Sequence, residues 1–204
     1  MTGPLDGVRI VDFTTMISGP LATMILADQG AEVIKVEHPR GGDHSRHVAD
    51  RRGGMSASFL NNNRGKRSVT LDLKTEEGRG AALRLCAGAD VVVQNFRPGV
   101  VDRLGLAEAA VRALRRDVIY VSIAGFGFQG DWAARPVYDP LVQALSGLAA
   151  VQGGGQGRRP RLVRTILPDK VTAIQAAQAI SAALFARERT GEGAHVTLSM
   201  LGTV

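Results

Sequence analysis

Val8-Arg9-Ile10-Val11-Asp12, the turn Thr14 to Gly19, the run Pro20 to Gln29, then Gly30 and Glu32-Val33-Ile34-Lys35-Val36 decide the fold. The first and last runs are short and β-branched, as buried strands are. Between them a turn leads into a helix that Pro20 opens and Gly30 closes. Strand, loop, helix, strand is a βαβ unit. The first turn carries no G-x-G-x-x-G fingerprint, which argues against a dinucleotide site of the usual kind.

The same alternation continues along the chain. Further strands are expected at 68–72, 91–94, 118–123 and 195–199. Helices are expected at 75–87, near 101–104, at 107–115, from 139 to about 148, and at 170–187. Residues 38–56 are polar, Gly-rich and basic and read as a long loop, a place where function tends to sit. Residues 152–161 form a basic, Gly-rich connector. The expected architecture is α/β: a doubly wound, mostly parallel, Rossmann-like sheet of about six strands.

Composition narrows the partners. The 204 residues are 45% hydrophobic and 22% charged, enough apolar material for a sizeable core. The formal net charge is +6, densest at 46–67 and 158–164, which points to an anionic partner. Aromatic residues make up 4% and do not interleave with the basic ones, so a stacking platform for nucleic acid is not expected. Cys86 is the lone cysteine, a buried hydrophobe by expectation, and fits a reducing cytoplasm. The first residues lack a signal pattern, and no apolar run approaches the roughly 20 residues of a membrane span. His38, His44 and His47, with Asp43 and Asp50, match no metal-ligand spacing, so no metal is expected.

Leu167-Pro168-Asp169 opens the expected helix at 170–187, whose apolar positions include Val171, Ile174, Ala177, Ile180 and Leu184. Asp169 therefore falls at or next to an N-cap. Free N–H groups and the helix dipole there favour an ionised carboxylate, so a lowered pKa is expected. Most aspartates so placed are simply caps.

Six blocks, in order, carry a resemblance. They are Pro4-Leu5-Asp6-Gly7-Val8-Arg9-Ile10-Val11-Asp12-Phe13-Thr14, Gly30-Ala31-Glu32-Val33-Ile34-Lys35-Val36-Glu37, Asn63-Arg64-Gly65-Lys66-Arg67-Ser68, Asn95-Phe96-Arg97-Pro98-Gly99, Tyr138-Asp139 and Arg189-Thr190-Gly191-Glu192-Gly193. Together they resemble the family III CoA-transferases (the CaiB/BaiF family), a group that includes formyl-CoA and carnitine CoA-transferases and α-methylacyl-CoA racemases. The resemblance implies CoA and acyl-CoA as substrates and a carboxylic acid as acceptor, with no metal.

It further implies that Asp169 is the nucleophile, and that His38, Arg40, Leu71, Lys74, Asn95, Phe96 and Arg103 surround the CoA. His38 is a departure, since relatives often carry Arg there. Tyr138 and Ile17 are implied to face the acyl or acid substrate. Racemases tend to carry His where Tyr138 stands, and tyrosine is a poor base at neutral pH, which favours transfer over racemisation. Formyl-CoA transferases carry Gln where Ile17 stands, which argues against formyl or oxalate specificity. The racemase, and a non-catalytic CoA-binding module, are the alternatives. The match covers the family's N-terminal half. Residues 1–204 are thus expected to be part of the CoA-binding large domain, with the smaller second domain absent, in a protein that forms an interlocked homodimer.

Overall fold

The computed structural model describes residues 3–204. Six strands form one sheet: β1 (Arg9–Asp12), β2 (Glu32–Glu37), β3 (Arg67–Thr70), β4 (Val91–Gln94), β5 (Ile119–Ala124) and β6 (Ala194–Ser199). Every pairing is parallel and the spatial order is β3-β2-β1-β4-β5-β6. This is the doubly wound arrangement expected, and its order reverses between β1 and β4. There the register is Ile10 to Val91, Val11 to Val92 and Asp12 to Val93.

Alternating side chains send each strand's residues to two cores. On one face Ile10, Val33, Val91 and Val121 pack under α1 (Ser18–Asp28) and α8 (Leu167–Thr190). On the other, Val11, Val36, Val92 and Tyr120 pack against α3 (Glu76–Ala87) and α5 (Glu108–Leu114). Cys86 is fully buried in this second core, and burial pushes its thiol up to about 12.

The expected strands and helices form within a few residues of the expected bounds. Residues 38–56 are not a featureless loop. They hold a short 3-10 turn (His44–His47), capped by Asp43, and a two-strand hairpin, and α2 (Ala57–Asn63) follows. After α4 (Val100–Arg103), the helix expected from 139 to 148 divides into α6 (Asp139–Leu145) and α7 (Leu148–Gln152). Gly147 sits between them at φ 84°, a left-handed conformation that ends α6. In α8 the buried face is Thr172, Ala173, Ala176, Ala177, Ile180 and Leu184, rotated from the expected one. Ile174 is 60% exposed and Phe185 65%. Ala173, Ala176 and Ala177 join Ile180 and Leu184 on the buried face, where α1 lies directly against this helix and leaves room for small side chains.

Helices in such a fold run back against the strands, so α1 and α8 both begin at the carboxyl edge of the sheet. The loops after β1 and β4 emerge at the same edge, on either side of the reversal.

Candidate active site

A cleft of about 300 Å³ opens at that reversal. Its walls come from the loop after β1 (Thr15, Met16, Ile17, Ser18), the loop after β4 (Asn95, Phe96, Arg97) and the segment leading to α6 (Arg135, Tyr138). Asp169 closes it from the start of α8. Ile17 is buried and presents its apolar side chain, whereas Tyr138 is 66% exposed and stands at the rim.

Asp169 is not the cap of its helix. Ile166 occupies the N-cap position and makes no side-chain capping bond, which puts Asp169 third in the helix. The cap comes from another element. Asp139, first residue of α6 and 3% exposed, accepts the backbone N–H of Asp169 on Oδ2 at 3.3 Å. Its Oδ1 accepts from Gln143 Nε2 at 2.6 Å. Gln143 in turn donates to Thr165 O at 3.2 Å and accepts from Val163 N at 2.8 Å, stapling the segment that leads into α8.

This geometry overturns the expected lowered pKa. Burial and then the Asp139 carboxylate push Asp169 up to about 6, while the Ser18 hydroxyl and amide pull only weakly the other way. The helix dipole lost to desolvation and to a like charge contributed by a neighbouring helix. Asp139 as a neighbour of Asp169 was not readable from the sequence, because 30 residues separate the two.

A second cleft of about 220 Å³ adjoins the first and shares Thr15 and Phe96 with it. His38, Leu71, Lys74 and Phe96 line it, with Val100 and Leu104 beneath. Four of the seven expected CoA contacts are therefore together here. Asn95 lines the first cleft instead, and its amide is engaged: Oδ1 accepts from Thr15 N at 2.9 Å and Nδ2 donates to Thr15 O at 2.8 Å. Arg40 and Arg103 are exposed and line neither cleft. Arg40 follows directly on His38, whose Nδ1 accepts its backbone N–H at 3.0 Å. Arg103 lies on α4 next to the lining residue Leu104.

Much of the basic charge expected to answer an anion is already paired. Lys66 is buried, with its Nζ 2.9 Å from Asp12 Oδ2, Pro20 O and Asn63 Oδ1. Arg46 forks onto Glu37 and lies 3.7 Å over the Phe59 ring. Arg64 pairs with Asp28 and Arg67 with Glu32. The cations that remain beside the second cleft are Lys74 and, when protonated, His38.

The buried charges serve the cleft indirectly. Lys35 Nζ bonds Thr14 O at 2.8 Å and pairs with Asp43 at 2.9 Å, both side chains out of solvent. Asp43 Oδ1 accepts the backbone N–H of Met16 at 3.1 Å. Met16 is held at φ 70°, a left-handed conformation costing on the order of 1 kcal/mol for a residue with a Cβ. Asn95, Lys35 and Asp43 thus bracket the loop on three sides and fix where Ile17 and Ser18 point. A lysine inside a buried strand was the readable signal of this network, because such a charge demands a partner. Among the described residues, no group of three or more His, Cys, Asp or Glu side chains converges as metal ligands would.

Comparison with known proteins adds a family. The family described as CoA-transferase family III matches residues 5–204. An acetyl-CoA:oxalate CoA-transferase of Acetobacter aceti is 42% identical, aligned over 97% of this chain and 51% of its own length. A succinate–glutarate CoA-transferase of Agrobacterium fabrum is 40% identical, over 97% of this chain and 51% of its own. A crystal structure of a CAIB/BAIF family protein from Brucella suis superposes with a TM-score of 0.93 at 38% identity, covering 100% of this chain and 55% of that one. The chain spans about half the length of the curated relatives it matches.

Proposed function

The chain belongs to CoA-transferase family III, and from that premise we propose that it moves CoA from an acyl-CoA donor to a carboxylic acid through an aspartyl-CoA thioester at Asp169. The observation that carries this reading is the placement of Asp169 in a cleft with Ile17 and Tyr138, beside a second cleft that His38, Leu71, Lys74 and Phe96 line. The two clefts share Thr15 and Phe96 in their walls, and the pantetheine arm of a thioester at Asp169 would run past these two residues.

The Asp169 carboxylate attacks the acyl-CoA carbonyl, and the CoA thiolate leaves, giving a mixed anhydride. The thiolate then attacks the aspartyl carbonyl of that anhydride. This forms the aspartyl-CoA thioester and releases the donor as a carboxylate. An acceptor carboxylate attacks the thioester to give a second anhydride and thiolate. Thiolate attack on the acceptor's carbonyl yields the new acyl-CoA and regenerates Asp169. Covalent catalysis splits one difficult exchange into four acyl transfers. The backbone amide of Ser18, at the start of α1 and facing Asp169, is a candidate donor to the oxyanions.

The two relatives act, by their names, on different acids. The acceptor is therefore left at the class of carboxylic acids. We infer also that these residues are the N-terminal part of a CoA-binding large domain completed by a second, smaller domain, and that the protein works as a homodimer in the cytoplasm. The exposed Ile174 and Phe185 of α8 suit an interface, and the buried thiol of Cys86 suits a reducing compartment. Among the described residues, no helix is long and apolar enough to cross a membrane.

The test is chemical trapping. The protein is incubated with an acyl-CoA and quenched with hydroxylamine, which converts an aspartyl thioester to a hydroxamate, and peptides are read by mass. The expected product is the hydroxamate at Asp169. Binding of CoA without any adduct at that position would instead leave a CoA-binding module.

A further inference from the structure

We infer that Asp139 is the positioning residue for Asp169: from α6 its carboxylate caps the backbone amide of Asp169 itself and, locked by Gln143, holds the reactive side chain at the mouth of the cleft. The inference rests on the chemical role proposed above for Asp169.

Both oxygens of Asp139 face donors, Gln143 Nε2 at 2.6 Å and Asp169 N at 3.3 Å. A carboxylate satisfies both; an amide would aim its own N–H₂ at one of them. Gln143 is 2% exposed and spends its remaining capacity on the backbone of 163–165. One buried pair therefore fixes the approach to α8, the start of α8 and the residue that carries the chemistry. A buried carboxylate is costly, and an ordinary helix start needs only a Ser, Thr or Asp of its own. Here Ile166 supplies none.

A second consequence is electrostatic. The groups around Asp169 are Ser18 from α1, Arg97 from the loop after β4, Arg135 and Tyr138 from the segment before α6, Asp139 on α6 and Lys170 on its own helix. Lys170 turns away, donating to Thr165 Oγ1 at 2.7 Å. Asp139 is the acid among them, and next to burial it is what raises Asp169 to about 6. A more basic carboxylate is a stronger nucleophile and remains ionised at neutral pH.

The whole chain, labelled with ¹³C at aspartate Cγ, is titrated by NMR, with the Asp169 signal assigned by its loss in Asp169→Asn. The wild-type midpoint is expected near 6. In Asp139→Asn it falls by at least about one unit, because the like charge is gone. In Gln143→Met, which releases the same staple and keeps the charge, it falls by less than half as much, because the freed Asp169 side chain gains solvent while the like charge stays. An unchanged midpoint in D139N, or equal shifts in both variants, overturns the inference, since a merely structural role moves both alike. Should D139N not fold, Gln143→Met decides alone: an Asp169 midpoint identical to wild type shows that the staple does not hold the side chain and refutes the inference. The titration needs no turnover. A failed hydroxylamine trap would thus remove the proposed chemistry and leave this measurement standing on its own.

Discussion

Replacing Lys66 with Met removes a cation that reaches three oxygens under the sheet's carboxyl edge. Its Nζ lies 2.9 Å from Asp12 Oδ2, Pro20 O and Asn63 Oδ1, and the two charged side chains are 2% and 0% exposed. Against the upward push of burial, Lys66 and then Lys35 hold Asp12 well below the usual carboxylate range. Breaking a buried pair from one side costs roughly 3–5 kcal/mol, because the remaining charge stays desolvated. Asp12 keeps Thr14 Oγ1 at 2.5 Å, Thr14 N at 2.8 Å and Thr23 Oγ1 at 2.7 Å, which places the loss near the lower end, about 3 kcal/mol. For a chain of this size that is roughly 6–12 °C in Tm. Thermal and urea unfolding at pH 7 measure it. The pH dependence has a definite sign. A depressed carboxylate contributes stability above its unfolded pKa and loses it as pH falls through the folded one. Lys66→Met raises the folded value, so the gap to wild type is widest near neutrality and narrows below about pH 4. A neutral pair, Asp12→Asn with Lys66→Met, recovers most of the loss. A deficit under about 1 kcal/mol, or one that persists unchanged into acid, would refute the assignment of these groups as a buried ion pair.

Asp169→Asn is expected to raise stability at pH 8 by about 1–3 kcal/mol, since it removes a carboxylate whose folded pKa lies above its unfolded one. That gain shrinks as pH falls through about 6 and is gone well below about pH 4, where both states of the wild type are protonated, and melting curves across pH check it. Trapping at Asp169 should fall about tenfold per unit as pH drops below about 6, as the reactive anion is titrated away. Gly125→Ala puts a Cβ 1.8 Å from Val137 Cγ1 in the cleft wall, so CoA binding by calorimetry weakens and stability drops by about 1–3 kcal/mol. Cys86, fully buried with its thiol pushed up to about 12, should react with iodoacetamide only at the rate of global opening; rapid labelling of native protein would contradict that core.

The sheet was legible because its signals are local. Val91-Val92-Val93 and Ile119-Tyr120-Val121 are short, β-branched or aromatic, and separated by helical periods, and they became β4 and β5 within a residue of expectation. The face of α8 was misjudged because hydrophobicity alone ranked Ile174 above Ala173 and Ala176. The close approach of α1 selects small side chains, and that approach is a tertiary fact. The dense charge of 46–67 pointed to an anionic partner. It instead supplies Lys66 to Asp12, 54 residues away, a pairing that no local pattern encodes.

The two carboxylates at this edge of the sheet make the same point chemically. Asp12 ends β1 and Asp169 sits in the first turn of α8, and burial pushes both upward. Around Asp12 two lysines and three hydrogen bonds from threonines more than reverse that push. Around Asp169 burial is joined by another carboxylate, that of Asp139, and the opposing hydrogen bonds come from neutral Ser18. Titratable groups driven apart by their surroundings divide into structural and reactive members. Asp12 has spent both oxygens on holding Thr14, Thr23 and Lys66 and has none to offer a thioester. Asp169 lines the cleft, carries a charge its site resists, and would lose that burden if its oxygen were acylated. By this reasoning the less stable carboxylate is the one to test for chemistry, whichever acid the protein accepts.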